Sequence, residues 1–152
     1  MNQSPKKAQQ FDLNLLMEVL IVLSVQVLLI YTWWLTGLPK FIDAGYATFF
    51  EEKFKDTFLA TLPGGIRFQM WILGAAELVA GAIAVVALFK REAFSGALIW
   101  TRLSLAFSAL TFCMLGFGLR WIKDHAGSGN IFYYMGAVGV LYLWIQSIEK
   151  NR

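Results

Sequence analysis

Four long apolar runs, separated by short polar stretches, set the frame of this chain. They cover residues 13–35, 68–89, 94–119 and 131–148. A helix rises 1.5 Å per residue, so ~20 apolar residues cross the hydrocarbon core of a bilayer. Each run therefore predicts a membrane-spanning helix. Between the first two, Tyr46, Phe50, Phe54, Phe58 and Leu62 recur at intervals of four, while Glu51, Glu52, Lys53, Lys55 and Asp56 fall elsewhere around the wheel. That pattern predicts an amphipathic interfacial helix over residues 46–62, flat on the membrane or capping the spans. The fold class expected is an all-α membrane protein: a four-transmembrane-helix bundle forming a single membrane domain over residues 1–152.

The polar punctuation agrees with those limits. Gly37 and Pro39 close the first run, because proline lacks the donor that a continuing helix needs. Pro63, Gly64 and Gly65 end the amphipathic segment, and Arg67 anchors the entry to the second span. The link Lys90-Arg91-Glu92 is short enough to make the second and third spans an antiparallel hairpin. Residues 120–130 read as a polar, glycine-containing loop, and residues 1–12 as a polar, flexible lead. The first run is too long for a signal-peptide core and lacks a small-x-small cleavage site, so it reads as a retained span. Tyr31, Trp33 and Trp34 mark its far end as an aromatic belt.

Composition strengthens the membrane reading. Apolar residues make up 58% and charged ones 15%, against the usual charged quarter, and mean hydropathy is +0.58. The net charge of +3 then belongs to loop topology rather than to nucleic acid, since no basic run is interleaved with aromatics. Four spans put both termini on one side. With the termini inside, inner and outer loops carry six Lys/Arg each, Lys40 being counted outside. The inner positives are the more densely packed, and the first outer loop balances its own with acids. That favours cytoplasmic termini in a multi-pass protein of the cell (inner) membrane.

The sole cysteine, Cys113, permits neither an internal disulfide nor a CxxC relay, and reads as a small packing residue. The sole histidine, His125, rules out a haem held by two histidines of this chain. No covalent or metal cofactor is expected; quinone or lipid is the class of ligand left open.

The ionisable and amide groups inside the spans are the candidate site residues: Glu18, Gln26, Lys40, Glu77 and Arg102. Gly74, Glu77, Gly81 and Ala84 share one helical face of the second span, small enough for another helix to come close. Arg102, Ala106, Ala109, Cys113 and Gly116 mark a similar face on the third. Side chains lean toward their helix N-terminus, which sends Arg102 toward Glu18 and Glu77 the other way. Glu18–Arg102 is then at least as good a pair as Glu77–Arg102, leaving Glu77 level with Gln26 and Ser108. A carboxylate paired with arginine is structural; one facing only Gln and Ser can bind or pass a proton. Gln26, Ser104, Ser108 and Thr111 read as helix-to-helix hydrogen bonders, and Lys40 as a snorkelling interfacial cation. The outer aromatics together with the amphipathic segment can also wall an apolar ligand site.

Gly37-Leu38-Pro39-Lys40-Phe41 closing the first span, Glu77-Leu78-Val79-Ala80-Gly81 in the second, and the basic turn Lys90-Arg91 together resemble the DoxX-like family of small four-span membrane proteins. The likeness covers roughly residues 13–115. It implies a membrane partner of redox enzymes, the family taking its name from a relative of subunits of an archaeal thiosulfate:quinone oxidoreductase. Lys40 and Glu77 match its charged motif positions, without an assigned role. The expectation is thus a noncatalytic or quinone-side subunit of a membrane oxidoreductase or larger membrane complex, or a homo-oligomer, in the lipid bilayer. The alternatives are a purely structural accessory subunit and a small proton-coupled transporter using Glu77.

Overall fold

In the computed structural model, which describes residues 5–152 and their side chains from residue 13 onward, the described chain is helical and contains no strand. Helix α1 spans Pro5–Gly37, α2 Pro39–Ile42, α3 Ala44–Phe54, α4 Gly65–Phe89, α5 Ile99–Trp121 and α6 His125–Asn151. Of the lead expected to be flexible, residues 1–4 lie outside the described residues and residues 5–12 are helical instead, continuous with the first span. Four helices, α1, α4, α5 and α6, are each long and apolar enough to cross a membrane. Their outward surfaces carry large apolar side chains such as Val27, Leu28, Ile72, Val79, Leu110 and Leu143. That is what a lipid-facing exterior requires and what a water-facing one does not tolerate.

Several boundaries differ from the hydrophobic pattern. The third span starts at Ile99, not Phe94, because Glu92–Phe94 form a separate 3₁₀ turn before it. The expected loop over 120–130 shrinks to three residues, because α6 starts at His125 with Asp124 as its cap. Asp124 accepts from the Gly127 amide at 2.8 Å, so the Gly and Ser residues there are the first turn of a helix. The predicted helix 46–62 is two pieces, α3 and a 3₁₀ turn at Phe58–Thr61. The geometric reason is simple: a four-residue repeat drifts ~40° per step on an α-helix, so Tyr46 and Leu62 cannot share a face of one straight helix.

The long helices pack in sequence, α1 on α4, α4 on α5 and α5 on α6, with α3 against α4. On α1 the buried positions Val19, Val22, Val25, Gln26, Leu29 and Trp33 follow the helical period. On α4 the face expected to be small and close-packed is buried throughout: Gly74, Glu77, Gly81 and Ala84. In lipid, helices gain little from hiding apolar surface, so close contact and hydrogen bonds must hold them together. A Cβ on Gly81 would stand 2.4 Å from Trp34, and one on Gly37 3.0 Å from Leu78. Any larger residue at Gly81 forces Trp34 to move, and one at Gly37 presses on Leu78.

On α5 the buried face is not the one marked by Arg102 and Cys113. It is Thr101, Ser104, Leu105, Ser108 and Thr111, about a residue further round. Ser104 donates across to the Ala80 carbonyl at 2.8 Å, and Gln26 to the Thr101 hydroxyl at 2.9 Å. Trp33, expected in an outer belt, is buried instead and donates to Ser108 at 2.7 Å. Thr111 bonds within its own helix, to the Phe107 carbonyl. The hydroxyls of this stripe all find acceptors, Ser104, Ser108 and Thr111 on backbone carbonyls and Thr101 on the Glu92 carboxylate.

Candidate functional site

The first span does not run straight through. Pro39 has no amide to continue the ladder, and Asp43 turns the backbone out with an extended conformation (φ −103°, ψ 107°). The same Asp43 restarts a helix by accepting from the amides of Gly45 and Tyr46 at 2.8 and 3.3 Å. Pro39 therefore kinks the helix, which goes on through α2 to Ile42, and Asp43 breaks it, so residues 38–43 form a kink and break between α1 and α3. The break faces the middle of α4. Gly37 lies against Glu77 and Leu78, and Gly74 against Lys40 and Phe41. Beyond it α3 climbs along the first half of α4, where Glu51 accepts from Arg67 at 2.9 Å.

At the break Lys40 is 3% exposed and Glu77 1%. The Lys40 ammonium donates to Glu77 Oε2 at 2.7 Å and to the Thr36 carbonyl at 2.7 Å. The second bond takes up a carbonyl at the C-terminal end of α1, where the helix dipole favours a cation. The Tyr46 ring lies below the same ammonium, 5.3 Å from ring centre to nitrogen. Lys40 is thus no snorkelling surface cation but half of a buried ion pair.

The other expected pairings are redistributed. Arg102 meets neither Glu77 nor Glu18. Its Nε lies 3.2 Å from Glu149 Oε2, a charge contact not aligned as a hydrogen bond. Glu18 instead accepts from Arg152 at 3.2 Å. Both substitutes come from the C-terminal end of α6, which reaches further along the bundle than its apolar run suggests. Gln26 uses its amide nitrogen on Thr101 and leaves its carbonyl oxygen without a partner among the described residues.

One charged residue escaped attention as part of a short basic link. Glu92 is 4% exposed, and its carboxylate accepts from the Trp100 and Thr101 amides and the Thr101 hydroxyl at 2.8–2.9 Å. It caps the start of α5 from outside the helix, where the dipole is positive. The signal available in the sequence was an acid several residues ahead of an apolar run without its own Ser, Thr or Asp cap. At the opposite end, Asp124 is held below the usual carboxylate range, chiefly by the Gly127 amide and further by the Lys53 ammonium.

Beside the break lies a cavity of about 650 Å³ between α3, the 3₁₀ turn, α4 and the last turns of α5. Its walls are aromatic and aliphatic: Tyr46, Phe49, Phe50, Phe54, Phe58 and Phe117 face leucines and Met114. Phe50 stacks on Phe54 at 4.6 Å, and Phe58 packs edge-on to Phe117 at 6.0 Å. The polar residues along it are Lys53, Gln69 and the Tyr46 phenol; no carboxylate lines it. Cys113, expected to be packed, is exposed at its rim. A space of this size with few polar groups suits an apolar ligand that needs one or two hydrogen bonds for orientation. Among the described residues no group of three or more His, Cys, Asp or Glu is placed to hold a metal ion.

No protein-family model, no curated protein and no solved structure matches this chain.

Proposed function

We propose that this chain is a DoxX-like, four-span protein of the inner membrane that serves as a noncatalytic, quinone-side subunit of a membrane oxidoreductase or larger membrane complex. The observation that carries the reading is the aromatic cavity beside the broken first span. A quinone is a flat apolar ring with two acceptor oxygens. The cavity offers flat aromatic walls and the donors Gln69 and Lys53, the Lys53 ammonium being shared with Asp124, which lies outside the lining. In this reading α3 is a membrane-dipping half of the first span, packed along α4, rather than a helix lying flat at the surface.

Cytoplasmic termini fit the same arrangement. Lys40 is buried against Glu77, so it leaves the loop tally, and the outer side keeps five Lys/Arg against six inside. The proton-carrier reading required a Glu77 without a cationic neighbour. With Lys40 at 2.7 Å, a carrier would have to break that pair in every cycle.

The test is gentle solubilisation from native membrane, followed by analysis of bound protein and of the organic extract. Copurification of a redox enzyme with near-stoichiometric quinone is the expected result. A chain recovered alone and carrying no quinone overturns the proposal. A partner without quinone leaves only the structural accessory role.

A further inference from the structure

The aromatic cavity does not end at its rim. Cys113 and Phe117, one turn apart on α5, line it and also line a second hollow of about 270 Å³ between α5 and α6. That second hollow is walled by Phe112, Gly116, Ile131, Phe132 and Met135, with Arg120 and Ser128 at its upper end. Met135 in turn borders a third hollow, of about 340 Å³, over Leu105, Ala109, Val138, Gly139 and Leu143. The three are consecutive. They share side chains in that order, so read as one furrow they leave the cavity over the Cys113–Phe117 ridge and descend the α5–α6 seam. From Phe117 to Leu105 it runs roughly 18 Å along the helix axis.

The chemistry changes along this path. Polar donors sit in the cavity, and Arg120 and Ser128 at the top of the seam. From Met135 downward the furrow is hydrocarbon apart from the Tyr142 phenol. Gly116 keeps the upper part open, since an added Cβ would stand 3.2 Å from Ile131, while Gly139 borders open space in which a Cβ meets nothing within 4 Å. A compact ring ligand fills only the first space. We infer that the site takes a two-part amphiphile, a ring-sized head held in the aromatic cavity and a long hydrocarbon chain laid in the α5–α6 furrow. The inference rests on the reading of the cavity as a ring-binding site, and adds the chain and its path.

The single cysteine is the reporter. Cys113 stands where head and chain meet, so an occupant shields it from a maleimide. The probes are tetramethyl-benzoquinone and the same ring with one methyl replaced by a ten-carbon chain. Both rings are fully substituted, so the thiol does not add to them. Wild type and Gly139→Phe are compared in phosphatidylcholine nanodiscs. A Cβ at 139 meets nothing within 4 Å, so a phenyl group there is accommodated at the start of its side chain and occupies the lower furrow, and comparing two proteins in one lipid cancels the partitioning of each probe. Gly139→Phe is expected to raise the half-protecting concentration of the chain-bearing ring severalfold, through loss of the chain's packing contacts in the furrow rather than exposure to water, and to leave the tetramethyl ring unchanged. Equal protection of wild type and variant by the chain-bearing ring overturns the furrow while sparing the cavity. Failure of both rings to protect wild-type Cys113 overturns the cavity reading and, with it, this one.

Discussion

The side chain of greatest consequence is Lys40, and its burial follows from its neighbours. A lysine four residues after Thr36, on a chain that Pro39 has bent, lands its ammonium on the carbonyl that the break exposes. Glu77 then supplies the counter-charge from α4. Pairs of this kind contribute modestly when intact and cost heavily when halved, because the survivor is left as a dry, uncompensated charge. Glu77→Ala should therefore destabilise the protein by ~3–5 kcal/mol. The double variant Lys40→Met/Glu77→Leu should recover most of that loss. Reversible unfolding of wild type, Lys40→Met, Glu77→Leu and the double variant in mixed micelles measures the coupling. Additive losses in the double variant would mean that the two charges do not depend on each other.

Among elements, the approach of α1 and α2 to α4 decides the architecture, and glycines decide the approach. A Cβ on Gly74 would stand 2.8 Å from the Phe41 ring and 3.2 Å from Lys40, so it pushes the break away from α4 and stretches the ion pair. Gly136 on α6 has open space around it. Gly74→Ala should cost ~1–3 kcal/mol by overpacking. Gly136→Ala should be neutral or stabilising by up to ~1 kcal/mol, since alanine loses less backbone entropy in a helix. Thermal midpoints in one detergent compare the two, and equal shifts would show that the contact at Gly74 is slack. The small-residue face of α4 could be read from its spacing. On α5 Ser104, Ser108 and Thr111 could be read from the sequence as hydrogen-bonding positions and are buried, whereas the small face drawn through Arg102 and Cys113 lies about a residue off.

For the whole molecule, the break changes how the first span meets the membrane. An uninterrupted helix from Leu13 would end at a belt of Tyr31, Trp33 and Trp34. Here α1 stops at the middle of α4, and α3 covers the remaining length. Charges gather at both ends: Lys90, Arg91, Lys150 and Arg152 at one, Lys53, Arg67, Arg120 and Lys123 at the other. If the end bearing Arg152 is cytoplasmic, a fluorescent protein that matures only there should glow when fused after Arg152. The same fusion placed after Lys123 should stay dark. The reverse pattern would invert the topology while leaving every packing contact intact.

What the sequence determined alone was the class of element and its number. Apolar runs of spanning length, glycine and proline at their ends, and a small face around Glu77 follow from local physics: helix rise, missing donors and side-chain size. Only the tertiary structure decided who pairs with whom. Lys40 rather than Arg102 faces Glu77, Glu149 faces Arg102, and Arg152 faces Glu18. Counting residues from a presumed membrane edge sets each helix at the same height. The actual heights depend on where a helix breaks, and the bend at 38–43 delivers Lys40 to mid-span. Ion pairing acts over a few ångströms, so a shift in helix height smaller than one turn is enough to exchange partners.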